Sequence, residues 1–127
     1  AAGLLNIVES AQYAATKHAA VGLAEWLRIA YGRKGVRVSC LCPQAVESGM
    51  TRAAGSGSAA GDAMLTPEDV ASAVVQAMRD ETFLILSHPE TASYLRAKVH
   101  DYDRWLGGMQ KLHAQHGPAA GASATSH

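Results

Sequence analysis

The sequence predicts an α/β layered fold with parallel strands, on three observations. Helix-forming and strand-forming segments alternate along the chain. The first strand-like run has a near-continuous apolar second half, the pattern of a strand buried on both faces. A whole helix separates the two strand-like runs, which makes their connection a crossover and not a hairpin.

The elements follow in order. From Ala11 to Ala30, residues Ala15, Ala19, Leu23, Trp26, Leu27 and Ala30 recur at three- and four-residue steps, and the run stops at Gly32 and Gly35. This predicts a mostly buried helix over about 11–31. Val36-Arg37-Val38-Ser39-Cys40-Leu41-Cys42, closed by Pro43, has the length and β-branched start of a strand over about 36–42. Gly49 to Gly61 has Gly, Ala or Ser in most positions, too poor in side chains to build a core, and predicts a mobile loop over about 48–65. Thr66-Pro67-Glu68-Asp69 opens a helix over about 67–80: Thr66 caps free backbone donors, Pro67 suits the first turn and the acids favour its positive end. Val70, Val74, Ala77 and Met78 should face inward. Thr82-Phe83-Leu84-Ile85-Leu86 reads as a second strand over about 82–86. The stripe Leu95, Val99, Tyr102, Leu106, Met109 and Leu112 predicts one last helix over about 90–113, weakened at Gly107-Gly108. Residues 1–116 form one domain in this reading, and 117–127 form a disordered tail.

Composition narrows the function. Eleven basic and eleven acidic residues cancel, with no basic stripe interleaved with aromatics, so neither nucleic acid nor an anionic membrane is an expected partner. No run of about 18 apolar residues is available to span a bilayer. Cys40 and Cys42 are too close in sequence to bridge without distortion, and they lack further Cys or His at metal-ligand spacing. They read as small buried hydrophobes in a reducing cytoplasm, and no metal is expected. The opening run Ala1-Ala2-Gly3-Leu4-Leu5 reads as the interior of a longer chain. His18, His88, His100, His113, His116 and His127 are scattered and receive no role.

Tyr13 and Lys17 lie four apart on the first helix, on one face and about one turn apart. An ammonium at that place favours the phenolate, so the tyrosine can exchange a proton with an alcohol or carbonyl oxygen. Spacing alone does not select this pair, because Tyr94 and Lys98 repeat it. Context separates them. Ser10-Ala11-Gln12-Tyr13-Ala14-Ala15-Thr16-Lys17-His18-Ala19-Ala20-Val21-Gly22-Leu23 resembles the active-site helix of the short-chain dehydrogenase/reductase family. In register behind it, Pro43-Gln44-Ala45-Val46-Glu47-Ser48-Gly49-Met50 occupies the place of the family's Pro-Gly-x-Val-x-Thr-x-Met run. The helix start at Thr66 and the strand Phe83-Leu84-Ile85-Leu86 also look familial, so the likeness covers roughly residues 1–90. Tyr94 is read as packing.

The resemblance implies the C-terminal part of a Rossmann-type doubly wound parallel sheet, incomplete because the first βα units are missing. It implies an oxidoreductase interconverting an alcohol and a ketone or aldehyde with NAD or NADP. Tyr13 would be the acid/base, and Lys17 would favour the phenolate and donate to the nicotinamide ribose. Pro43, Gln44, Val46 and Ser48 would line the nicotinamide end, and the Gly/Ala/Ser loop would be the substrate lid. Gln44 stands where the family has glycine, which puts the shape of that turn in question. The family's catalytic serine projects to the position before Ala1, and the glycine-rich pyrophosphate turn has no counterpart. The expected partners are a small alcohol or carbonyl substrate and, in the full-length form, a second copy of the chain. The isolated chain is expected to be inactive. The alternatives are a non-catalytic interaction or dimerisation module, or an inactive remnant of such an enzyme.

Overall fold

The computed structural model describes residues 1–47 and 64–117. Ser48 and the predicted lid up to residue 63 lie outside the described residues, as does the predicted tail beyond Gly117. The elements run α1 (Ala2–Leu5), α2 (Ala11–Tyr31), a 3-10 turn (Gly32–Lys34), β1 (Cys40–Leu41), α3 (Pro67–Arg79), β2 (Leu84–Ile85), α4 (Glu90–His100) and α5 (Tyr102–His116). The architecture is α/β, with β1 and β2 paired in parallel and in register Cys40 to Leu84 and Leu41 to Ile85.

Local chemistry sets the helix starts. Ser10 caps α2, its Oγ accepting from the Tyr13 amide at 3.2 Å. Thr66 and Asp69 form a reciprocal capping box at α3: Thr66 Oγ1 accepts from the Asp69 amide at 3.2 Å, and the Thr66 amide donates to Asp69 Oδ2 at 3.3 Å. Gly3 explains how α1 sits so close to α2. A Cβ there would lie 2.7 Å from the Lys17 carbonyl oxygen and 2.7 Å from Val21 Cγ2, so only glycine permits the approach.

Both strands are shorter than the sequence predicts, and side chains account for the late start of pairing. Arg28 donates to the carbonyls of Val38 and Glu81, each at 3.2 Å, and Ser39 Oγ donates to Thr82 O at 2.8 Å. Those bonds occupy backbone acceptors ahead of the ladder, which begins with Cys40 N to Phe83 O and ends with Cys42 N to Ile85 O. Pro43 then has no amide to donate.

The core is small: among the described residues, Leu5, Ala14, Val21, Cys42, Val70 and Ile85 are the buried apolar ones. Several sequence expectations are corrected here. Helix α2 is not mostly buried, since only Ala14 and Val21 are enclosed while Leu23, Trp26 and Ile29 face outward. Leu41 is exposed, so β1 is not covered on both faces, and Met78 points out at 62 % exposure. The last helix is two, not one. Asp101 leaves helical backbone angles, and its carboxylate accepts from the Arg104 amide at 3.0 Å, starting α5 afresh. The break lies at Asp101 and not at Gly107-Gly108, which α5 absorbs. The predicted stripe is thereby divided, leaving Val99, Tyr102 and Leu106 exposed.

Candidate active site

Helix α2 fixes Tyr13 in its first turn through the Ser10 cap, and one turn later the Lys17 Nζ stands 5.3 Å from the Tyr13 ring centroid. Both side chains are exposed. No carboxylate pairs with Lys17 among the described residues, so its ammonium keeps its donors available. The two residues open into a cleft of about 270 Å³ whose other walls are the first three residues of the chain, β1 and its end at Cys42, and Pro43 and Gln44. Thus four of the six residues singled out in the sequence, Tyr13, Lys17, Pro43 and Gln44, meet at one cleft. Val46 stands apart from that lining, bridged to Leu65, and Ser48 lies outside the described residues.

The turn after β1 raises no difficulty for glutamine. Among the described residues only Asn6 and Glu81, besides Gly35, adopt a positive φ, so Gln44 takes ordinary backbone angles. The floor of the cleft is inert. Burial, with Cys40 next to it, pushes the Cys42 thiol up to about 11, so at neutral pH it is neither nucleophile nor base. The two thiols are free, with sulfurs 3.9 Å apart.

A wider groove, about 890 Å³, lies elsewhere, between residues 6–12, the opposite side of the α2 start and the α5 residues Trp105, Leu106 and Met109. It contains neither Tyr13 nor Lys17. The second Tyr/Lys pair has a different surrounding. Lys98 is 7 % exposed, donates to Leu4 O at 2.7 Å and lies over the Tyr102 and Trp105 rings at 5.3 and 4.8 Å, while Tyr94 is exposed.

Sequence reasoning passed over His88. It is almost completely enclosed after β2, and its ring reaches the backbone of Gln44 and Ala45, directly behind the cleft wall. A lone histidine before a proline carries no motif. The only signal in the sequence was a polar residue closing an apolar strand.

Residues 1–59 match the family described as short chain dehydrogenase. The chain belongs to that family. Among its relatives is the 1-deoxy-11-beta-hydroxypentalenate dehydrogenase of Streptomyces exfoliatus, 38 % identical over 96 residues, covering 72 % of this chain and 34 % of that protein. The protein of the same name from Streptomyces arenae is 36 % identical over 100 residues, covering 72 % and 34 %. A mitochondrial borneol dehydrogenase of Lavandula x intermedia is 36 % identical over 80 residues, covering 60 % and 31 %. The chain therefore spans about a third of the length of these relatives. No solved structure matches it significantly. No helix among the described residues is long and apolar enough to cross a membrane.

Proposed function

We propose that this chain is the C-terminal, acid/base-bearing part of an NAD(P)-dependent short-chain dehydrogenase that interconverts an alcohol and a ketone or aldehyde. The observation that carries the reading is the meeting of Tyr13, Lys17, Pro43 and Gln44 at one cleft. The cleft fits the nicotinamide end of the cofactor: it offers an ammonium that no carboxylate pairs among the described residues and a phenol on one wall, and a backbone turn on the other. Lys17 would hold the ribose hydroxyls, and the Pro43–Val46 backbone would face the ring. When bound, the nicotinamide accepts or supplies the hydride.

Tyr13 Oη takes the hydroxyl proton of an alcohol as the carbonyl forms, and returns it to the oxygen in the reverse direction. Lys17 keeps its ammonium beside that phenol, 5.3 Å from the ring centroid. The three relatives are dehydrogenases named for a hydroxypentalenate and for borneol, and this supports a hydrocarbon-rich alcohol as the substrate class. The free thiols support a reducing compartment such as the cytoplasm.

The test is NADH and NADPH binding, by nicotinamide fluorescence, to this chain and to the complete encoded protein. The complete protein should bind and reduce a carbonyl substrate, and Tyr13→Phe should abolish turnover while leaving binding. Undiminished turnover in Tyr13→Phe refutes the assignment.

One observation favours a second reading, a non-catalytic interaction module. Leu23, Trp26 and Ile29 are 59, 56 and 79 % exposed on the outer side of α2, a row suited to cover by a second copy or by the rest of the encoded protein. Association measured by light scattering, with no binding of either cofactor by the complete protein, would establish that reading instead.

A further inference from the structure

We infer that His88, as its Nε2–H tautomer, is a positioning residue that holds the backbone turn forming one wall of the Tyr13–Lys17 cleft. The inference rests on the dehydrogenase reading for its effect on activity, and on geometry for the tie itself. His88 is 2 % exposed, immediately after β2, and both ring nitrogens are engaged with consecutive residues of the turn that follows β1. The Gln44 amide donates to Nδ1 at 3.1 Å, and Nε2 lies 3.1 Å from Ala45 O.

A backbone amide can only donate and a backbone carbonyl can only accept, so the two contacts select one protonation pattern. Nδ1 carries the lone pair, and Nε2 carries the proton that Ala45 O accepts. Ser87 Oγ, 3.0 Å from Nδ1, then donates to the same lone pair. One enclosed ring thus satisfies a donor and an acceptor that the short β1–β2 ladder leaves behind, since that ladder ends at Cys42 N to Ile85 O.

The consequence reaches the cleft. Gln44 lines it and Pro43 precedes it, so the ring fixes the peptide against which the nicotinamide would lie. Glutamine stands where the family pattern has glycine, and a side chain-to-backbone clamp on that residue is a means of setting the wall's position. Nothing in the geometry brings His88 itself to the cleft surface, so it acts through the turn and not on substrate.

The test uses the complete encoded protein. His88→Leu removes both bonds at similar size, and the KM for the nicotinamide cofactor should rise about tenfold while kcat falls less. His88→Asn keeps an acceptor near the Nδ1 position and should recover part of that loss. Nitrogen-15 spectra of the wild type should show an unprotonated Nδ1 and a protonated Nε2. A protonated Nδ1 in the folded protein overturns the inference even if no variant folds. So does a folded His88→Leu protein with a cofactor KM within twofold of wild type. Should the wild type turn over no alcohol with either cofactor, the dehydrogenase reading falls separately. The tie is then read by exchange of the Gln44 amide, which His88→Leu must accelerate, and equal exchange rates refute it.

Discussion

The chain contains the same five-residue spacing twice, and the two copies have opposite surroundings. Tyr13 and Lys17 share the exposed first turns of α2, with an ammonium that no carboxylate neutralises among the described residues. Lys98, four residues after Tyr94, is buried beneath two aromatic rings and donates to the Leu4 carbonyl. Spacing places a lysine one turn from a tyrosine, but the neighbours decide whether the charge is available to a ligand or used to hold the fold. An ammonium bonded to a carbonyl under aromatic faces is a structural cation. One that borders an open cleft can act on what enters.

Substitutions at the two copies sharpen this contrast. Tyr13→Phe in the complete protein should lower kcat by about 10²- to 10⁴-fold, the usual loss of an acid/base group, whereas Tyr94→Phe should leave turnover unchanged in the same steady-state assay. Stability should respond the other way round. Lys98→Met keeps the aliphatic stem but leaves Leu4 O without its donor, and should lower the unfolding free energy by about 2 kcal/mol in denaturant titration. Lys17→Met should leave stability within about 0.5 kcal/mol. If the two lysines proved equal in both measurements, the division between them would be wrong.

Gly3 links the two regions, because α1 lies against α2 at Lys17 and carries the carbonyl that Lys98 grips. Gly3→Ala forces a Cβ onto the Lys17 backbone oxygen and should cost about 1 to 2 kcal/mol by thermal or chemical melting. The smallest effect belongs to Cys42. Its folded thiol ionises near 11 against an ordinary value of 9, so the folded state holds its proton where the unfolded state has lost it. Stability should fall as pH rises from about 9 to about 11, and Cys42→Ala should flatten that stretch of the profile.

What could be read from the sequence was what local bonds decide. Thr66 announces its helix, because a cap closes within three residues of chain, while the cap at Ser10, equally local, went unread. The division at Asp101 was also local, but it hid within a periodic apolar stripe that one long helix and two shorter ones share equally well. Strand length was not legible, because the bonds of Arg28 and Ser39 that forestall pairing come from residues far from their acceptors in sequence. His88 was invisible for the same reason: its partners are the backbone of Gln44 and Ala45, and no side-chain pattern records a bond to a peptide group. Tyr13 and Lys17 were found because their spacing and flanks form a family pattern, which says where to look and not what surrounds them.

The corner at Asp101 also decides where the chain can be cut. Because α5 turns back there, Tyr102 and Trp105 roof an ammonium carried by the preceding helix, and His113 Nδ1 reaches Val8 O at 2.9 Å. An expression boundary drawn after His100, the natural stopping point for anyone trimming the protein to its α/β layers, would strip that roof and flood Lys98 with solvent. The damage would surface at the opposite end of the sequence, in the residues that lead up to Tyr13.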